Sequence, residues 1–342
     1  MLCAGLFCLC SLIVGAIYLD YNRFVSGDVL HDGQEETVVI AYGASWDDIL
    51  FELRDKRIVS RRYYFDFWAR DAGLPRAIKA GTYHFKGPLT LVELDQKLRQ
   101  GGEVDDVRVT IPEGFTIFHI ADRLEMLGVV SKRDFLDAAR SKELLKKHDV
   151  QGESFEGYLF PDTYAIKKGS SAEAIVERFH ARWDEVIQEV IESNPGMLEE
   201  HQDAREMDLH DLVILASLVE RETNHNPERA LISRVFLNRI DKGMKLQTDP
   251  TCVYGEETYM EVPSPKRCRD RLNRYSTYVI KGLPPGPISN PGRRSLEAAL
   301  NPDKSAEARK YLFFVARRDG SGSHYFTSTY KEHVKAIDKF LR

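Results

Sequence analysis

The feature that most constrains this chain is the string Leu212-Val-Ile-Leu-Ala-Ser-Leu-Val-Glu-Arg-Glu-Thr223. It is an apolar, helix-forming run that ends in two acids, so its helix must be buried along most of its length and must carry carboxyl groups out of a core. On such a helix Ala216 and Ser217 lie one turn before Glu220, and Thr223 and Asn224 one turn after it. Small neighbours leave room for a ligand beside Glu220, and partial desolvation would raise its carboxyl toward the range of a general acid. The competing reading of Glu220 is a salt bridge to an arginine such as Arg234 or Arg239. Glu222 is two residues on and points elsewhere. A solvated or arginine-paired acid is the reading its position favours.

Other chemistries find less support. No HExxH string occurs and the ten histidines are scattered, so no metal site is expected. Neither a GxSxG elbow nor a P-loop is present, and no cofactor is expected. With 48 basic and 53 acidic residues and a formal charge of -5, nothing points to nucleic acid as a partner.

The chain has 342 residues, 43% of them hydrophobic, enough for more than one core. Met1 to Leu19 is uncharged and just long enough to cross a bilayer as a helix. It reads as an uncleaved transmembrane signal anchor, against a cleaved signal or a buried helix. No Lys or Arg precedes it, so charge alone leaves the orientation open. Cys3, Cys8 and Cys10 lie in this run; Cys252 and Cys268 are the other two cysteines, and their pairing is not fixed by spacing.

Residues 20–36 read as a juxtamembrane tether. From Thr37 the pattern is strand, turn at Gly43, cap at Ser45, and two short helices, with a strand at 80–86 and a helix at 91–98. Shifted by 71 positions, Val38, Ile40, Ser45, Ile49 and Leu53 meet Val109, Ile111, Thr116, Ile120 and Leu124. A second echo sets Thr82 and Tyr83 on Thr163 and Tyr164. Two small βααβ units are therefore expected. The string EGYLFPDTY (156–164) carries Glu156 and Asp162 among aromatics; it reads either as a sugar-binding groove or as an aromatic core strand with Pro161 at its edge. A helix is expected over 170–193, separated from the central helix by an acidic linker at 199–206, and a further helix over 227–242 follows the central one. The segments 246–255 and 275–292, rich in Gly, Pro, hydroxyls and amides, read as ordered loops or clefts.

These strings together resemble the YceG-like family of endolytic murein transglycosylases. The likeness runs through LASLVERET (215–223), EGYLFPDTY, LQTDPT-x-x-YG (246–255), GLPPGPISNPG (282–292), YLFFVA (311–316) and GSHYFTSTYKEH (322–333), in that family's order.

The resemblance implies an α+β fold. It consists of an N-terminal membrane anchor (1–19), a tether (20–36), a small LysM-like βααβ domain (37–105), and a mixed α/β catalytic domain (106–342) with an embedded second LysM-like unit. It implies a single-pass inner-membrane protein with its catalytic domain in the periplasm. It also implies cleavage of the β-1,4 bond between N-acetylmuramic acid and N-acetylglucosamine without water, which leaves 1,6-anhydro ends. In it the catalytic acid falls on the first acid of the string, Glu220, acting as general acid and then base. Gln247, Thr248, Asp249, Tyr254, Ser289 and Asn290 are implied as groove residues, with Glu156 and Asp162 as further substrate contacts. The implied partners are peptidoglycan glycan strands and the penicillin-binding synthases that polymerise them. Ser276-Thr277-Tyr278 stands where the family often has Asn-Thr-Tyr, and Cys252 and Cys268 lie outside the pattern. The rival readings are a catalytically inactive membrane-anchored peptidoglycan-binding scaffold and an ordinary glycosidase using Glu220 with Asp249 or Glu222.

Overall fold

The computed structural model describes residues 2–41, 44–103, 106–223 and 225–341; Gly43 and Asn224, and the side chains of Cys3, Cys8 and Cys10, lie outside what it describes. The chain divides into two compact units, 1–106 with 167–169, and 107–166 with 170–342.

The first unit opens with α1 (Leu2–Val25). Among the described residues no helix is long and apolar enough to cross a membrane. The expected transmembrane anchor is therefore corrected, and with it membrane anchoring and the single-pass inner-membrane placement. Toward its end α1 turns polar and docks on its own unit. Asp20 pairs with Arg61 and accepts from the Tyr64 hydroxyl at 3.1 Å, while Tyr21 meets Tyr64 and Phe67 edge-on.

The stretch read as a tether holds the end of α1 and a strand, β1 (Asp28–Leu30). Next come β2 (Glu35–Ile40), α2 (Trp46–Asp55), α3 (Arg62–Asp71), β3 (Gly81–Lys86), β4 (Leu89–Thr90) and α4 (Leu91–Gln100). β2 pairs antiparallel with β3, Val38 facing Tyr83, and β1 pairs with β4. Ser45 and Thr90 start α2 and α4 through reciprocal capping boxes with Asp48 and Glu93. Val38, Leu53, Phe65, Phe85 and Leu94 close a core beneath them.

The second unit repeats the order strand, helix, helix, strand. β5 (Asp106–Thr110), α5 (Ile117–Met126) and α6 (Lys132–Ala139) are followed by α7 (Lys142–Lys147) and by β6 (Thr163–Lys167), which pairs with β5. Residues 155–162 do not form the aromatic strand weighed above. Phe155, Tyr158, Leu159 and Phe160 are buried in turns against the core, which also removes them as an exposed sugar platform. α8 (Ala172–Ser193) runs where expected. The acidic linker is instead a helix, α9 (Met197–Arg205), bracketed by left-handed Gly196 and Glu206. Glu199 and Glu200 sit in its first turn, where acids favour a helix.

Asp208 and Asp211 form the capping box that starts α10 (Leu209–Glu222), and every residue from Leu212 to Glu220 is buried. This helix has no solvent face over that stretch, so the rest of the unit is laid around it. α11 (Arg229–Asp241) and, after the four-residue α12 (Pro265–Cys268), α13 (Arg293–Leu300) pack directly on it. The hairpin β7 (Phe313–Ala316) and β8 (His324–Thr327) with α14 (Tyr330–Phe340) completes the unit. Segments 246–255 and 275–292 are ordered without strands, apart from a single 3-10 turn at Asp249–Val253.

Candidate active site

Two residues along a helix turn a side chain by about 200°, and the two acids ending α10 accordingly go to different places. Glu220 goes inward. Its Oε1 lies 3.1 Å from Arg229 Nη1, both side chains about 5% exposed or less. Its Oε2 accepts the Gly292 N–H at 3.0 Å. Arg229, the first residue of α11, also reaches Ser295 Oγ and, through Nε, Asn226 Oδ1 at 3.2 Å. The salt-bridge reading named Arg234 or Arg239, but those guanidinium groups go to backbone carbonyls, Arg234 to Asp303 and Arg239 to Leu312 and Leu246. Glu220 thus ties the end of α10 to the starts of α11 and α13.

A second acid adjoins this pair. A Cβ placed on Gly292 would lie 1.9 Å from Glu113 Oε1, so the Glu113 side chain fills the space that glycine leaves open. Burial, then the charge of Glu220, push the Glu113 carboxyl above its ordinary range, against the pull of Arg229 and Arg294. Nothing in the spacing of the central string points to Glu113, which comes from the loop before α5.

Glu222 goes outward, into a cavity of about 430 Å³ lined also by Gln247, Asp249, Tyr278, Phe313 and His333. It accepts a hydrogen bond from the Thr248 hydroxyl, and no ion pair engages it among the described residues. Burial raises its carboxyl to about 7, helped by the charge of Asp249 and opposed by the Thr248 hydroxyl and Arg239. Arg239 is nearby but is spent on carbonyls and lies over the Phe313 ring at 5.1 Å. Asp249 accepts from the Tyr278 hydroxyl at 2.6 Å. Thr277 fixes the loop that carries these groups: its Oγ1 accepts the Thr248 N–H at 3.0 Å and its carbonyl accepts the Gln247 N–H at 3.2 Å. Gln247 takes a left-handed backbone, φ 48°, which a non-glycine residue adopts only where its surroundings enforce it.

The remaining expected residues form a separate, internal network. Glu156 is 1% exposed; it accepts the Ile117 N–H at the start of α5, the Tyr254 hydroxyl at 3.1 Å and the Asn290 amide at 2.9 Å. Burial nevertheless raises its carboxyl to about 8. Asn290 Oδ1 accepts both the Gly157 and Leu159 N–H groups, at 2.9 and 3.0 Å. Ser289 donates to the Ser217 carbonyl of α10 at 3.3 Å. These four side chains brace loops; Glu156, Ser289 and Asn290 are buried and Tyr254 is half-buried. Asp162 is partly exposed, accepts its neighbour's N–H and pairs with Arg182, outside the cavity lining.

Cys252 and Cys268 form a disulfide, joining the 3-10 turn after Asp249 to the end of α12. Asp249 lies within 4.8 Å of both sulfurs, a set that could otherwise hold a metal ion, but the sulfurs are committed to each other.

The YceG-like family model matches residues 38–339, and the chain belongs to that family. An endolytic murein transglycosylase of Bacillus subtilis (strain 168) is 30% identical over 96% of this chain and 91% of its own length. One from Streptococcus pneumoniae is 26% identical over 88% of this chain, which spans 57% of that longer protein. Among solved structures, a YceG-like protein from Listeria monocytogenes superposes with a TM-score of 0.57 and 31% identity, covering 88% of this chain and 99% of that one.

Proposed function

We propose that this protein is an endolytic peptidoglycan lytic transglycosylase in which Glu222, rather than Glu220, carries the proton. Family membership supports endolytic murein transglycosylase activity in general terms. The assignment of the acid rests on one observation: Glu222 opens into a cavity with its carboxyl raised to about 7 and no cation bound to it. A general acid must be protonated at the working pH, and a value near neutrality satisfies both the donating and the accepting step. Both carboxyl oxygens of Glu220 are engaged instead, one by Arg229 and the other by the Gly292 N–H, inside the protein.

In the proposed reaction a glycan strand lies in the cavity with the muramoyl C1–O bond at Glu222. The carboxyl gives its proton to the glycosidic oxygen, the C1–O bond breaks, and the departing sugar leaves with a free hydroxyl. Positive charge develops at C1, with the Asp249 carboxylate facing the same cavity. The muramoyl C6 hydroxyl then bonds to C1 and passes its proton to the Glu222 carboxylate, which closes a 1,6-anhydro ring and restores the acid. The intramolecular hydroxyl takes the place of water, and its proximity makes capture efficient.

Asp249 in the same cavity favours one alternative, a two-carboxylate hydrolase. Mass analysis of the ends formed from purified glycan strands separates the two. Anhydro ends are expected; reducing ends carrying oxygen from labelled water would replace this mechanism with hydrolysis. Glu222→Gln should lower turnover by at least about 10³-fold, the scale of a lost acid–base group. An active Glu222→Gln protein would overturn the assignment.

A further inference from the structure

The proposed catalytic cavity does not end at Tyr278. A second cavity, of about 480 Å³, shares Gln247, Asp249 and Tyr278 with it and continues along Pro263, Pro265 and Arg269. Gln247, Asp249 and Tyr278 therefore form a wall common to both, with Glu222 on one side and Arg269 on the other.

Arg269 is the one cation among the residues lining this second cavity. It is exposed, and no hydrogen bond or ion pair engages its side chain among the described residues. Of its basic neighbours, Arg267 pairs with Glu261 and Arg274 with Glu153, while Lys266 and Arg271 lie outside the cavity lining. The backbone that carries Arg269 is fixed. The preceding residue, Cys268, is bonded to Cys252, and its carbonyl accepts the Ser276 hydroxyl at 2.6 Å. Ser264 caps the short α12 from the other end. A free guanidinium on a braced support, in a lining shared with two prolines, suits a ligand that has a carboxylate and small apolar groups.

Building on the function proposed above, we propose that this second cavity binds the acidic peptide attached to the muramoyl lactyl group, with Arg269 pairing with one of its carboxylates. A strand seated with a muramoyl residue at Glu222 carries that peptide on the same sugar, and the shared wall gives it a continuous path. The prolines face the lactyl and alanyl methyl groups, and Arg269 supplies the one positive charge among the residues lining the second cavity. Arg269 is thus a specificity residue that distinguishes peptide-bearing strands from bare ones and takes no part in bond cleavage.

The test compares the full chain with Arg269→Ala and Arg269→Lys on two substrates, peptide-bearing glycan strands and the same strands stripped by an amidase, with KM and kcat measured separately. Arg269→Ala should raise KM for peptide-bearing strands about tenfold, as expected for one charge pair at a partly exposed site. It should leave kcat and all constants for bare strands unchanged, and Arg269→Lys should recover part of the loss. Equal effects on both substrates, or none on either, would overturn the peptide assignment while leaving the cleavage reaction standing. A wild-type protein that cleaves neither substrate would sink the proposed function, and this inference with it.

Discussion

The opposite placements of Glu220 and Glu222 give substitutions of opposite sign. Glu220→Gln removes the charge facing Arg229, whose guanidinium is about 5% exposed, and breaking a buried pair from one side costs about 3 kcal/mol. For a unit of this size that lowers Tm by roughly 6–12 °C. Glu222 behaves the other way. Its carboxyl rises from an ordinary 4.5 to about 7 on folding. Between those two values the folded protein holds a proton that the unfolded chain has released. Stability therefore falls as pH rises through that window and levels off above it. The gap corresponds to roughly 3 kcal/mol. Glu222→Gln removes that loss, so at pH 8 it should be more stable than wild type by up to that amount, and at pH 4.5 nearly equal to it. Thermal denaturation of the three proteins at both pH values, with cleavage assayed alongside, measures all of this. The expected pattern is a destabilised Glu220→Gln and a stabilised, inactive Glu222→Gln. A Glu220→Gln protein of wild-type stability that cannot cleave, beside an active Glu222→Gln, would refute the division of roles.

Two further outcomes follow from the same geometry. With Glu222 near 7, kcat/KM should decline about tenfold per pH unit above neutrality as the acid form is lost, while a flat profile from pH 6 to 9 would remove Glu222 as the proton donor. Gly157→Ala should cost about 3 kcal/mol or more in a chemical-denaturation experiment. Residue 157 has φ 88°, and a Cβ there would lie 2.6 Å from Pro287 and 2.8 Å from Val213, neither of which can swing aside; a neutral result would contradict that packing.

The central helix was legible because its apolar length and its terminal acids are local properties, and the start of α2 was readable from its cap at Ser45. The ion-pair alternative for Glu220 was readable too, but its partner was not. Arg229 reaches Glu220 because of how α11 leaves the turn after α10, a tertiary fact that helical spacing does not contain. For the same reason the string could not say which acid faces a cavity. The walls around Glu222 come from residues 246–249, 278 and 313–337, and only their convergence creates the opening. The strings that carried the resemblance proved to be of two kinds, cavity lining at Gln247 and Asp249, and internal bracing at Glu156 and Asn290. Composition could not separate them, since amides and hydroxyls serve both purposes. The docking of the end of the N-terminal helix through Asp20 and Tyr21 is likewise a tertiary fact, which the hydropathy of the preceding run does not contain.

The buried carboxyl of Glu156 gathers donors from residues 117, 254 and 290, three stretches far apart along the chain. None of these stretches can settle alone, because each would leave the others with an unmet polar atom in the interior. Assembly of this region is thus all-or-none, and a fragment lacking any one of them should collapse without a working cleft. A substitution at an exposed position such as Arg269 leaves that knot intact.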